Sequence, residues 1–259
     1  DDPRFNEYWQ LYHQIMQRRG VTPAAAKAIV RSRATVIAAL MVRRGEADAL
    51  LCGLVGRYQK KAKHVLDVLG TDQGEDKVAA LSAVLNDKGV FFFTDTHMQV
   101  DPTADQIAES ALQAAYRIKM FGIEPKIALI SHSNFGTHDS PSAVKLREAL
   151  KKIRVRAPKL EVEGEMHVDA ALNEDIRERL FPDSRLKGRA NLFVFPNLDA
   201  ANTAYNLVRS MTDGVGLGPI LMGVSHSAHV LTASATVRRV VNMSAIAAVE
   251  AQVRNAMRG

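Results

Sequence analysis

Four stretches of this chain carry residue types and spacings suited to chemistry. Residues 53–63 (GLVGRYQKKAK) set two glycines and four cations, Arg57, Lys60, Lys61 and Lys63, at the start of an expected helix. Helix N-termini and Lys or Arg both suit phosphate. The spacing is not that of a Walker loop, and a solvated basic helix face has the same composition. Residues 131–137 (SHSNFGT) offer the hydroxyl of Ser131, the amide of Asn134 and a flexible glycine after a strand. Such a loop binds phosphate or carbonyl oxygens, or simply caps the next helix, with Asp139 or Ser140 as the cap. Residues 223–236 hold His226, His229 and several hydroxyls. A Ser–His pair suggests a nucleophile with its base, but no nucleophile elbow accompanies it. Two histidines without a third ligand do not make a metal site, so none is expected. Residues 161–169 (EVEGEMHVD) read either as a carboxylate site or as the alternation of a strand.

The elements that must position these residues alternate between strand and helix. Helical periodicity covers 4–19, with Gly20 as its stop, and 23–43 after a Thr22 cap and Pro23. A short strand at 47–51 leads into the loop at 53 and a helix at 58–69. Strands at 78–85 and 90–94 flank a turn at 86–89. Helices are expected at 103–121, 141–152, 169–179, 199–211 and 236–257. Strands are expected at 126–130, 160–163, 190–195 and 219–222. This order argues an α/β fold with mostly parallel sheets. Ligands in such folds sit beyond the carboxyl ends of strands, which selects the loops at 53–63, 131–137, 196–202 and 223–236. Residues 70–77 (GTDQGEDK) are the nearest thing to a linker.

The chain has 259 residues, 47% apolar and 24% charged, enough for a large core. A single cysteine, Cys52, excludes a disulfide framework and is expected to be a buried strand-end residue. No apolar run is long enough for a membrane span, and the opening DDPR is no signal peptide, so a cytoplasmic setting is expected. That opening also lacks Met and reads as the start of a fragment. The net charge of +6 is uneven: residues 1–70 carry +6, 71–222 carry −3 and 223–259 carry +3. If the two ends fold together they form a basic lobe, which suits a phosphorylated small molecule better than nucleic acid, given the few aromatics near it. A Rossmann glycine fingerprint is absent.

Taken in order, several stretches resemble the phosphotransacetylase (phosphate acetyltransferase) family across essentially the whole chain. They are 44–50 (RGEADAL), 101–108 (DPTADQIA), 124–131 (EPKIALIS), 164–171 (GEMHVDAA), 190–202 (ANLFVFPNLDAAN), 218–220 (GPI) and 240–242 (VVN). The opening adds 8–13 (YWQLYH), 20–23 (GVTP), 39–48 (ALMVRRGEAD) and 51–58 (LCGLVGRY), which resemble the C-terminal portion of large hybrid NADP-dependent malic enzymes.

The resemblance implies two α/β/α lobes with a cleft between them, as in phosphotransacetylases and isocitrate-dehydrogenase-like folds. Residues 1–72 and 219–259 would form lobe I and 73–218 lobe II, with the opening strands of lobe I missing. It also implies departures from an active site. Thr232 stands where the family has Ser, Ala233 where it has the phosphoryl-clamping Arg, and Arg239 where it has an acid/base Asp. Alanine cannot clamp a phosphoryl group, and losing an acid/base carboxylate removes orders of magnitude in rate. No catalytic residue is therefore expected in this segment. The expected role is a regulatory and oligomerising domain that binds acetyl-CoA and inhibits a tethered NADP-dependent malic enzyme, which converts malate to pyruvate. The alternative is an active phosphate acetyltransferase. Arg57, Lys60 and Lys63 are the expected phosphate contacts, and Ser131, Asn134, His226, His229 and Thr232 the expected wall. The segment itself would need no cofactor; NADP and Mg or Mn would serve the tethered enzyme. The expected partners are acetyl-CoA, other copies of the chain and the tethered domain, with no nucleic acid and no membrane.

Overall fold

The computed structural model describes residues 3–72 and 78–258. In chain order the elements are α1 (Phe5–Met16), a 3-10 turn (Gln17–Arg19), α2 (Pro23–Ser32), α3 (Ala34–Arg43), β1 (Ala49–Gly53) and α4 (Tyr58–Leu69). There follow β2 (Ala79–Asn86), β3 (Gly89–Thr94), α5 (Ala104–Met120), β4 (Lys126–Ile130), α6 (Pro141–Arg156), β5 (Glu161–Met166), α7 (Val168–Leu172) and α8 (Glu174–Leu180). The chain ends with β6 (Leu192–Val194), α9 (Leu198–Met211), β7 (Val215–Met222), β8 (Ser227–Leu231) and α10 (Val237–Arg258). Two compact units result: Asp1–Asp76 with Gly223–Gly259, and Lys77–Met222.

The first unit is built on a parallel pair, β1 and β8, whose residues lie 178 apart in the chain (Ala49 against Ser227). Helices α3, α4 and α10 pack on it, burying Val36, Leu40, Val65, Val68, Val230 and Met243 completely. Gly53 ends β1 at φ +112°, where an added Cβ would stand 2.1 Å from the Leu231 carbonyl oxygen. No other residue fits so close to β8. The chain leaves and re-enters this unit at one knot. Asp72 N donates to the Gly223 carbonyl (3.0 Å), Ser225 N to that of Gly70 (3.3 Å), and Arg254 of α10 grips Asp72 with both terminal nitrogens (2.9 and 3.1 Å). Arg254 also donates to the carbonyls of Val224 (2.9 Å) and Ser225 (3.3 Å).

The second unit holds a six-stranded sheet in the order β5-β4-β6-β3-β2-β7. Strand alternation sends successive side chains to opposite faces. Phe91, Phe93, Ala128, Ile130 and Phe193 join one cluster with Ala170 and Ala171 of α7 and Ala201 and Tyr205 of α9. Phe92 takes the other face, where it stacks on Phe121 just after α5 (6.3 Å). Helices start where short polar side chains accept their first N–H groups. Thr22 caps α2, Ser140 caps α6, Asn173 caps α8 and Asn197 caps α9. Thr103 and Gln106 form a reciprocal capping box at α5.

Several expectations are corrected. The helix expected over 23–43 breaks at Arg33, whose backbone (φ −125°, ψ 88°) leaves the helical region. The one expected over 169–179 breaks at Asn173, which turns to cap α8. The polar stretch 223–236 is not simply a loop, because it contains β8, all five of whose residues are buried. Two of its side chains face α10: Ser227 Oγ donates to the Ala247 carbonyl (2.9 Å) and His229 Nε2 lies 3.2 Å from Glu250 Oε2. Residues 219–222 lie in β7, which runs antiparallel to β2 in the second unit rather than joining the chain ends. Four of the six ladder pairs among the described residues are parallel. Cys52 lies inside β1 and is half-buried. The expected linker, 70–77, falls at 73–77 outside the described residues. No helix among the described residues is long and apolar enough to cross a membrane.

The layering carries a stability prediction. Leu129→Ala, at a fully buried sheet position, costs ~3 kcal/mol through the cavity it leaves. Thr103→Ala costs ~1 kcal/mol through the lost cap. Urea unfolding followed by circular dichroism checks both, and similar midpoints for the two variants would contradict the packing described.

Candidate functional site

In the first unit the candidate residues gather around the start of α4. Leu54 (φ 65°) and Gly56 (φ 86°) turn the chain from β1 into the helix. Arg57 stands at the N-cap position of α4 without a side-chain cap bond. Arg57 and Lys60 are exposed. Lys61 Nζ donates to the hydroxyl of buried Thr35 (3.2 Å). Lys63 differs from its neighbours: its ammonium meets both oxygens of Asp67 (2.9 and 2.8 Å), a carboxylate that Arg19 also holds (2.8 Å). His64, one turn into the helix, has its pKa lowered by burial and by the charge of Arg33, Lys60 and Lys61, with Asp67 partly opposing. An anion at this helix start would counter those same charges.

The two histidines of the 223–236 stretch do different things. Ser225 Oγ donates to the Leu69 carbonyl (2.6 Å) and stands 2.8 Å from His226 Nδ1. With its proton spent on a carbonyl, that hydroxyl receives from the ring rather than yielding to it, the reverse of an activated nucleophile. His229 is fully buried, its Nε2 3.2 Å from Glu250 Oε2, and Glu250 Oε1 accepts from Arg254 Nε (2.9 Å). His229 is thus part of the interior that joins β8 to α10. Thr232 is half-buried, with its hydroxyl 3.1 Å from that of Ser234. Ala233 is exposed and Arg239 is buried near the start of α10. Among the described residues no group of three or more His, Cys, Asp or Glu is arranged to hold a metal ion.

In the second unit the loop at 131–137 is organised by a carboxylate. Glu165 is fully buried, and its Oε1 accepts from Ser133 Oγ (2.7 Å), Gly136 N (3.0 Å) and Arg147 Nη1 (2.9 Å). Ser131 Oγ accepts from Ser133 N (3.1 Å), and Asn134 Oδ1 from His167 N (2.8 Å). Ser131 and Asn134 therefore shape the loop through these bonds. Residues 161–166 form β5, in line with the strand reading, but Glu163 and Glu165 are interior and each meets an arginine of α6. Arg154 pairs with Glu163 (2.8 Å) as Arg147 pairs with Glu165. The helical spacing offers a partial signal: seven residues apart keeps Arg147 and Arg154 on one face of α6.

Another buried carboxylate, Asp95, belongs to none of the sequence motifs. Its Oδ1 accepts from the backbone N–H of Ala80 (3.0 Å), His97 (3.0 Å) and Met98 (3.1 Å), and Oδ2 from that of Gln99 (2.8 Å). Burial nonetheless raises its pKa above the ordinary value. It folds the turn after β3 back toward β2, where Thr96 Oγ1 meets Ser82 Oγ (2.8 Å) and the Thr96 carbonyl accepts from Asn202 of α9 (3.0 Å). The loops after β3 and β4 are thus set by interior polar groups at one end of the sheet, while Arg57, Lys60, Lys63, His226, His229 and Thr232 belong to the first unit.

Two variants test this geometry. Arg147→Met leaves Glu165 buried without its charged partner and costs ~3–5 kcal/mol in urea unfolding. Lys60→Ala at an exposed position stays within ~0.5 kcal/mol. Burial pushes the Cys52 thiol up to about 11, with Lys61 partly opposing. Since only the thiolate reacts, iodoacetamide labels Cys52 at pH 8 about a hundredfold more slowly than a free thiol. Unfolding abolishes the protection, and rapid labelling of the folded chain would contradict this placement.

Known proteins resemble this chain. A family model described as phosphate acetyl/butaryl transferase matches residues 1–248. An NADP-dependent malic enzyme of Escherichia coli is 52% identical over 254 residues, which are 98% of this chain and 34% of that protein. A phosphate acetyltransferase of Paracoccus denitrificans is 35% identical, over 96% of this chain and 80% of that one. The crystal structure of a phosphotransacetylase from Streptococcus pyogenes superposes with a TM-score of 0.87 at 25% identity, covering 100% of this chain and 77% of that one. The chain spans about a third of the length of the malic enzymes it matches.

Proposed function

Because the chain belongs to the phosphate acetyl/butaryl transferase family, we propose that it is a catalytically degenerate member that binds acetyl-CoA as an effector. On this reading it oligomerises and inhibits a malic enzyme tethered to it. The observation that carries the proposal is the content of residues 232–239. By the resemblance, this is where an active member needs a hydroxyl, a guanidinium and a carboxylate. Thr232 supplies the first. Ala233, a methyl group, replaces the second. Arg239 replaces the third; a guanidinium stays protonated and cannot take a proton from a thiol.

Binding survives such losses better than turnover does. Arg57 and Lys60 remain exposed at the start of α4 and suit the phosphates of the coenzyme. Lys61 joins them by exchanging the Thr35 hydroxyl for a phosphate, whereas Lys63 is committed to Asp67. The similarity to malic enzymes over a third of their length supports a tethered partner. The NADP and divalent Mg or Mn of that partner's chemistry would be held outside this chain, which needs no cofactor of its own. Inhibition requires acetyl-CoA to bind two states of the longer protein with different affinity.

Calorimetry with acetyl-CoA tests the binding, and an assay for acetyl-CoA formed from acetyl phosphate and coenzyme A tests the degeneracy. The expected results are saturable heat, no turnover, and binding weakened at least about tenfold in Arg57→Ala/Lys60→Ala, since charged hydrogen bonds are worth ~1.5–3 kcal/mol each. Ligand phosphates next to His64 raise its pKa, so binding at pH 6.5 takes up protons, seen as a dependence of the heat on buffer ionisation enthalpy. No heat at millimolar acetyl-CoA overturns the effector reading. Turnover that disappears in Thr232→Ala establishes an active transferase instead.

A further inference from the structure

Arg239 is a buried charge without a counter-charge. The residue is 5% exposed. Its Nε is shut off from solvent with no hydrogen-bond partner, and its guanidinium meets no carboxylate among the described residues. Its backbone N–H donates to Thr236 Oγ1 (3.2 Å). Arg177, also interior, shows what a buried guanidinium ordinarily finds: it donates to the carbonyls of Ala170 (2.9 Å), Leu186 (3.1 Å) and Gly188 (2.6 Å). A guanidinium keeps its proton wherever it is placed. Without such acceptors it carries the cost of leaving water uncompensated.

The surroundings of Arg239 raise that cost. It lies in the first turn of α10, a helix of 22 residues with no acidic residue in that turn. The amino end of a helix is its positive end, where a cation is unfavourable. Arg238 adds a second, exposed guanidinium beside it. Glu250 is the one acidic residue in residues 223–259, and it is engaged with His229 and Arg254. An apolar side chain at 239 would remove every one of these penalties. Residues that break local rules with no gain in stability mark functional sites.

The placement suits a ligand. Arg239, Met243, Ala247 and Glu250 are buried at successive helical turns and so share one face of α10. Farther along this stripe, Ala247 and Glu250 meet Ser227 and His229 of β8. Residues 232–236 return the chain from β8 into α10, so Arg239 stands at the carboxyl end of β8. That end is level with the carboxyl end of β1, since Gly53 pairs with Leu231. Ligands of α/β folds sit beyond such ends. Long helical side chains lean toward the amino end of their helix. The lean takes the guanidinium toward residues 232–236, where the hydroxyls of Thr232 and Ser234 stand 3.1 Å apart.

We propose that Arg239 is an anion-binding residue whose guanidinium receives a phosphate group at the amino end of α10. Phosphate oxygens match the planar fork of the guanidinium, and the helix end that disfavours a lone cation attracts them. The residue that denies this segment an acid/base carboxylate thereby supplies it with a binding group. The phosphate is either free or carried by acetyl-CoA. With the coenzyme as source this rests on the effector reading above; with free phosphate it does not.

Scanning calorimetry of the full chain, with and without millimolar inorganic phosphate at constant ionic strength, tests the proposal together with titration by acetyl-CoA. Without ligand, Arg239→Met melts about 2–4 °C above the unsubstituted chain, because methionine takes a similar place without the charge. Free phosphate raises the Tm of the unsubstituted chain by several degrees. It raises that of Arg239→Met less than half as much, the remainder being the general effect of an excluded salt. Arg238→Met, which removes the same charge from an exposed neighbour, keeps most of the response. If the coenzyme is the source, free phosphate shifts all three alike and Arg239→Met binds acetyl-CoA at least tenfold more weakly. Equal responses of the unsubstituted chain and Arg239→Met to both ligands overturn the proposal, and acetyl-CoA heat retained in both leaves the effector reading standing. A phosphate response confined to chains with Arg239, with no heat from acetyl-CoA, supports the proposal and removes the effector reading. A lower ligand-free Tm in Arg239→Met, or its failure to fold, assigns Arg239 to the scaffold and overturns the proposal.

Discussion

Arg254 holds the first unit together at the place where a discontinuous unit is weakest. The guanidinium on α10 reaches the carboxylate of Asp72 and the carbonyls of Val224 and Ser225 at the point where the chain returns. Burial works against its charge, and Asp72 and Glu250 outweigh that cost, so its pKa is raised. A hydrophobic contact there would hold two segments near each other. The fork of an arginine holds them in one register, because its donors have fixed directions. That register aligns β8 with β1 and thereby sets the close approach of Gly53 to Leu231. The turn into α4 follows from it, and so does the placement of Arg57 and Lys60.

The second unit solves a related problem with two arginines. Arg147 and Arg154 rise from α6 and meet Glu165 and Glu163 on β5. The pairs lock helix to strand, and Glu165 then serves as the post to which the 131–137 loop is tied through Ser133 and Gly136. Asp95 does the same for the turn after β3 using backbone N–H groups alone. Both carboxylates organise loops at the end of the sheet where an α/β fold places its ligands. The loops are shaped from inside, which leaves outward-facing groups free to differ between members of a family without loss of the scaffold.

What could be read in the chain beforehand divides along the same line. Local signals translated well. Thr22 with Pro23, Thr103 with Gln106, and Ser140 with Pro141 start helices where their chemistry requires it. Long-range pairings were less legible. Residues 227–231 (SAHVL) look like part of a polar loop until α10 supplies an acceptor for Ser227 and a carboxylate for His229. Glu163 and Glu165 look like the alternation of a half-exposed strand until two arginines seven residues apart bring them inside. Lys63 looks like its neighbours on α4, and only the fold shows that Asp67 holds it. In each case the deciding partner is a residue whose proximity no local pattern announces.

The parallel pairing of β1 with β8 has a consequence for biosynthesis. When the ribosome has finished residue 222, every strand of the six-stranded sheet has been made. The first unit then still lacks β8 and α10, so β1 has yet to meet the strand it pairs with among the described residues. Its apolar residues, Leu50 among them, must wait without their final cover until the last helix emerges. Contacts this distant in sequence form late, and open edges left meanwhile invite pairing with other chains. Of the two units, the first therefore carries the greater hazard during synthesis, and a chaperone that shields residues 34–69 during elongation would improve yield more than one acting on the second unit.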